Sequence, residues 1–344
     1  MRLDSANARL LEIITDGTRM NSSLTLGEIA SQNLPSIVPY AILTPEFKGK
    51  LPLCILLLGA GGTRDMLFDI QPLFERWWEH GSVPPMIIAT PSPGLDYYLE
   101  EVAGPIRWDS FLINDFVPQL CSSFETSGCA IAGISGGGYG ALKLAFAYPS
   151  RFDVVAAMQP MLEPGLRESD VRPRNRLHHL AGGPPQLIGP GRDPLMWESN
   201  NPANRARRHA QEIRASGLAI YLEAAENDFL NAHDGAEFLH RQLWELDISH
   251  EYRMLRGADH GGVTMRPRLE AMFAWIGSLW SEAPIDSAAE SAALAWLQSG
   301  MRNKPPAGAT ATNAFVKFLR TSFEPIRAQA SEADPTTMRR FGVL

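Results

Sequence analysis

Short apolar runs alternate with longer stretches of mixed character from about Ile37 to Trp280. The runs are Ile37–Leu43, Leu53–Leu58, Met86–Ala89, Ala130–Ile134, Val154–Met158, Ala219–Ala225 and Glu251–Leu255. Several are continuously apolar, which is how a strand covered on both faces reads; Glu251–Leu255 is the least apolar. Between them, Asp65–His80, Trp108–Phe124, Tyr139–Tyr148, Asp234–Leu246 and Pro267–Trp280 read as helices. Strand–helix alternation at this spacing predicts an α/β fold with a mostly parallel central sheet and helices on both faces.

Two regions break the rhythm. Glu163–Arg208 is rich in Pro, Gly and Arg and contains no clear strand, so it reads as a lid or binding excursion over residues 163–208. It holds eight Arg (167, 172, 174, 176, 192, 205, 207, 208) against five acids, the pattern of a solvated face or of a contact for an anionic substrate. Beyond Ser281 the pattern turns helical, with a break at Lys304–Ala311. The domain reading is therefore 1–281 for the α/β body and 282–344 for a helical C-terminal extension. That extension packs on the body or on a partner, which includes a second copy of the chain.

Composition narrows the function classes. The chain has 344 residues, 45% of them hydrophobic, enough for a large core. A net charge of −7 argues against nonspecific phosphate binding, and so against a nucleic-acid partner. No stretch approaches the roughly 18–20 apolar residues of a membrane span. Met1–Met20 carries Arg2, Asp4, Arg9 and Glu12 and has no apolar core of a secretory signal, so the expected location is cytoplasmic. Cys54, Cys121 and Cys129 fit neither a metal motif nor a disulfide framework, and no metal or organic cofactor is implied.

The candidate chemistry centres on Gly133-Ile134-Ser135-Gly136-Gly137, a G-x-S-x-G that follows one run and opens a helix. A serine on so tight a strand-to-helix turn projects its hydroxyl from the sheet edge. The N–H of Gly136 then points at a developing oxyanion near the positive end of the helix. A second N–H is expected from the loop after Leu53–Leu58, from Ala60 or alternatively Gly61. In this chain order an acid and then a histidine should follow. Asp228 lies in the loop after Ala219–Ala225, with Glu226 as the alternative acid, and His260 lies among small residues after Glu251–Leu255. Of the eight histidines, His260 alone has the right order and setting. Around the site, Tyr97, Tyr98 and Trp197 are candidate substrate contacts, with ordinary packing as the competing account.

These residues carry a resemblance. Val38-Pro39-Tyr40-Ala41-Ile42-Leu43-Thr44-Pro45, Leu56-Leu57-Leu58-Gly59-Ala60-Gly61-Gly62, Gly133 to Ala141 and Gly257-Ala258-Asp259-His260 resemble the putative-esterase branch of the α/β-hydrolases. That branch includes esterase D (S-formylglutathione hydrolase), feruloyl esterases and mycolyltransferases, and the likeness covers roughly residues 35–280. The family often has His where Leu58 stands and Ser-Trp where Gly261-Gly262 stands. The resemblance implies an α/β-hydrolase fold and a serine esterase with a Ser135–His260–Asp228 triad acting on a small-molecule ester, and it leaves the ester open. An acyltransferase on the same triad and a noncatalytic binding protein that keeps the fold are the competing functions.

Overall fold

The computed structural model describes residues 21–59, 61–94, 96–175 and 193–280. Ala60, the middle of the 163–208 excursion and the 282–344 extension lie outside the described residues. The chain divides into two units, Met1–Glu282 and Ala283–Leu344, and all of the described residues belong to the first.

Eight strands form one sheet: β1 (Ser22–Ile29), β2 (Val38–Pro45), β3 (Leu51–Leu57), β4 (Ile87–Pro91), β5 (Thr126–Ile134), β6 (Val154–Met158), β7 (Ala219–Ala225) and β8 (Glu251–Leu255). Their spatial order is β1-β2-β4-β3-β5-β6-β7-β8. β3 to β8 are parallel, as expected from the strand–helix alternation. β1 and β2 are antiparallel additions at one edge. Every residue of β3, β4 and β6 is buried, because helices cover both faces there. β8, at the opposite edge, has no fully buried residue, which explains its weak apolar signal. β1 is missing from the predicted runs for the same reason: it alternates between half-buried and exposed positions.

Helix α1 (Met66–His80) and the last helix, α9 (Met265–Ser278), cover one face. Their Phe74, Trp77, Trp78 and Phe273 pack on Cys54, Leu56 and Ala132 of the sheet. The other face carries α2 (Trp108–Phe111), α3 (Val117–Ser123), α4 (Gly136–Ala147), α6 (Pro202–Arg208), α7 (Ala210–Ser216) and α8 (Ala232–Glu245). A short helix, α5 (Pro194–Asn200), precedes α6. Leu53, Ile55 and Leu57 face this second core, so alternate residues of one strand serve the two layers. Between α2 and α3 runs a π turn, Leu112–Phe116. Pro118 follows it and cannot donate its N–H, so the wider turn keeps Trp108–Ser123 continuous past the missing bond. Among the described residues no helix is long and apolar enough to cross a membrane.

Candidate active site

Ser135 caps α4 directly after β5 with φ 55° and ψ −121°, a left-handed conformation unfavourable for a residue with a side chain. Backbone bonds hold it there: its N–H donates to Met158 O, and its carbonyl accepts from Tyr139 and Met161, all at 3.1 Å. The flanking glycines have a steric reason. A Cβ on Gly133 would fall 2.1 Å from Gly137 O, and one on Gly137 would fall 2.0 Å from Leu57 O. The turn can therefore close only with glycine at both places.

The loops after β3, β7 and β8 meet this turn at the carboxyl ends of the parallel strands. His260 Nε2 lies 3.0 Å from Ser135 Oγ, and His260 Nδ1 lies 2.7 Å from Asp228 Oδ2. A carboxylate accepts only, so the proton belongs on Nδ1 and Nε2 is left to accept from the serine hydroxyl. Asp228 is buried and its other oxygen accepts from Leu230 N at 2.8 Å. Burial works to raise this carboxyl. The hydrogen bond and charge of His260 and the amides of Leu230 and Ala232 outweigh burial and hold it below the ordinary range.

The alternative acid is engaged elsewhere: Glu226 Oε2 accepts from Gly257 N at 2.9 Å. Asp259 braces the loop by accepting from its neighbour His260 N at 2.6 Å. On the other side of Ser135, a Cβ on Gly59 would lie 3.2 Å from the serine Cβ, so the loop after β3 closes directly on the hydroxyl. Ala60 lies outside the described residues. The alternative amide, Gly61 N–H, donates to Gly94 O at 3.2 Å and is committed there. Gly136 is the first residue of α4, where an N–H has no acceptor within the helix.

Tyr97, Tyr98 and Trp197 are all buried. Tyr97 lies with its ring against Gly136 and donates to Met161 O at 3.1 Å. Tyr98 accepts from Leu58 N at 2.9 Å, which fixes the start of the loop after β3. Leu58, where the resembling family often has a histidine, is thus braced through its backbone. Trp197 is buried on α5.

Sequence reasoning missed a second tier. Arg268 of α9 donates to Glu223 Oε1 at 2.8 Å, to Asp259 O at 2.6 Å and to the side chain of Gln159. It ties the histidine loop to the ends of β6 and β7. Burial pushes the Glu223 carboxyl up, and Arg268 opposes that. A visible signal existed: a glutamate inside the apolar run Ala219–Ala225 needs a buried partner. The excursion also departs from a uniformly solvated Arg face. Arg205 is buried and bonds Asp109 Oδ2 at 2.5 Å, while Asp109 Oδ1 meets the fully buried Lys143 of α4 at 2.7 Å. Among the described residues, no group of three or more His, Cys, Asp or Glu side chains could hold a metal ion.

No curated protein matches the chain. Solved structures share its fold at low identity. A ferulic acid esterase superposes with a TM-score of 0.59 at 18% identity, covering 75% of this chain and 99% of that one. An S-formylglutathione hydrolase of Agrobacterium tumefaciens gives 0.57 at 17%, covering 76% and 97%. A fluorophosphonate-binding serine hydrolase of Staphylococcus aureus gives 0.58 at 17%, covering 74% and 98%. A family model described as Putative esterase matches residues 31–276. With more than half of its length matched by that model, the chain belongs to the Putative esterase family.

Proposed function

We propose that the protein is a serine-dependent carboxylic ester hydrolase working through an acyl-enzyme on Ser135, His260 and Asp228. The observation that carries this reading is the unbroken relay from Ser135 Oγ to His260 Nε2 and from His260 Nδ1 to Asp228 Oδ2, at 3.0 and 2.7 Å. Ester hydrolysis needs a hydroxyl that loses its proton as it attacks, and the relay supplies the acceptor. Ser135 Oγ bonds to the ester carbonyl carbon while its proton passes to Nε2. Asp228 stays ionised and stabilises the imidazolium that forms. The tetrahedral oxyanion receives the Gly136 N–H and a second amide from the loop after β3, for which Ala60 is the candidate. His260 returns the proton to the departing alcohol, and water then repeats the sequence to release the acid. The low-identity fold likeness to a ferulic acid esterase and a fluorophosphonate-binding hydrolase agrees with this chemistry.

Fluorophosphonate labelling together with p-nitrophenyl acetate hydrolysis tests the reading. Wild type should label and turn over. Ser135→Ala should do neither, with turnover lowered by on the order of 10⁴-fold or more. Turnover that survives in Ser135→Ala would place the chemistry elsewhere.

A further inference from the structure

Two apolar side chains stand in solvent on the loops that carry Asp228 and His260. Phe229, directly after Asp228, is 68% exposed, yet its ring meets the His260 imidazole edge-on with centroids 5.9 Å apart. Val263 is 96% exposed. The glycines between His260 and Val263 leave the space open: a Cβ on Gly261 or Gly262 would meet nothing within 4 Å. The opposite flank is filled, because a Cβ on Gly136 would fall 2.7 Å from the Tyr97 ring. Phe229 is also held in place from its backbone, with its N–H donating to Asp259 Oδ1 at 3.3 Å. An aromatic ring held against a candidate general base, in open space, offers apolar area to whatever binds beside that base.

The occupant follows from the proposed chemistry, on which this inference rests. When the acyl-enzyme forms, the bond from Ser135 Oγ to the carbonyl carbon is made and the bond from that carbon to the alcohol oxygen breaks. The proton taken from Oγ passes from His260 Nε2 to the alcohol oxygen, and a neutral alcohol leaves. The alcohol oxygen must therefore come within hydrogen-bond reach of Nε2, which puts its carbon chain beside the His260 ring. We propose that Phe229, with Val263, forms the subsite for an apolar leaving alcohol, and that the protein favours esters of alkyl or arylalkyl alcohols over esters of small or polyhydroxylated ones.

The test compares ethyl acetate with hexyl acetate, which share an acyl group and have alcohols of similar acidity, by titrating the acid released. Wild type should prefer hexyl acetate. Phe229→Ala should lower the hexyl-to-ethyl ratio of kcat/KM about 5–10-fold, the size expected for loss of one aromatic contact. Phe229→Leu should keep most of the ratio, and Val263→Ser should lower it in the same direction. A ratio unchanged in Phe229→Ala overturns the proposal, whether both esters slow together or neither does, since the ring would then act on His260 alone or on nothing. Wild type that labels with fluorophosphonate but hydrolyses both esters equally well overturns the alcohol subsite and leaves the esterase reading intact. Wild type that neither labels nor hydrolyses either ester overturns both.

Discussion

Tyr98 shows how a residue beside the site can matter without touching a substrate. It holds a left-handed φ of 55° and is almost wholly buried, and its hydroxyl oxygen accepts from Leu58 N just before the loop that closes on Ser135. Sequence reading offered it as a substrate contact; its position makes it a brace. Tyr98→Phe keeps the ring and strands the buried Leu58 N–H, which should cost about 1–3 kcal/mol of stability. Denaturant unfolding would read this as a lower midpoint. The KM for p-nitrophenyl acetate should stay close to wild type, whereas a direct contact through the hydroxyl would raise it. The same logic separates Asp228 from Glu226. Both are acids in one loop, and only the tertiary arrangement turns one toward His260 and the other toward the Gly257 amide.

Among the elements, helix α4, which Ser135 caps, is buried on all sides, which is why its single charge, Lys143, cannot reach water. Asp109 of α2 neutralises it and also binds Arg205 of α6, so one carboxylate joins three helices. Burial works to raise the Asp109 carboxyl, and the two cations outweigh it and hold the group below the ordinary range. Removing the anion leaves two uncompensated buried cations. Asp109→Ala should therefore cost roughly 3–5 kcal/mol in denaturant unfolding, far more than truncation of an exposed pair such as Arg241–Glu237. Such a triad was out of reach of sequence reading, because its members are dispersed along the chain and each looks like an ordinary surface charge. What could be read was local. The apolar runs of β3, β4 and β6 reveal themselves because both faces are covered, and the Ser135 turn because its glycines answer to sterics within a few residues. β1 escaped because half-exposed alternation at a sheet edge looks like loop, and Leu26 there is 46% exposed. Arg268 escaped because its partners Glu223 and Gln159 lie 45 and 109 residues away.

For the molecule as a whole, the buried titratable groups set two opposing limbs of stability against pH. Glu163 is buried, with one carboxyl oxygen lacking a hydrogen-bond partner among the described residues, and burial pushes it up to about 8. Between the ordinary glutamate value of about 4.3 and that raised value, the folded state keeps a proton that the unfolded chain has lost. The unfolded state then binds fewer protons, so stability falls as pH rises through this window. His240 and His250 act in the opposite sense. His250 is fixed by a 2.8 Å contact from Nδ1 to Ile248 O, and its Nε2 lies 2.7 Å from His240 Nδ1, with room for one proton between the facing nitrogens, so the two rings cannot both be charged. Burial holds both below the ordinary histidine value, and for His240 the neighbouring His250 adds to this. Below about 6.5 the unfolded chain takes up protons that the folded pair resists, so stability falls as pH drops. Asp228 and Asp109, both held low, extend that loss into more acid solution. The urea midpoint should therefore peak on the slightly acid side of neutrality. Glu163→Gln, which is neutral at every pH, should flatten the decline between about pH 6.5 and 8 and steepen the acid limb down to about pH 4.3, where the Glu163 proton works against it. His250→Asn should soften the acid limb and leave the alkaline one. An alkaline slope identical in wild type and Glu163→Gln would mean that the folded protein carries Glu163 ionised in that range.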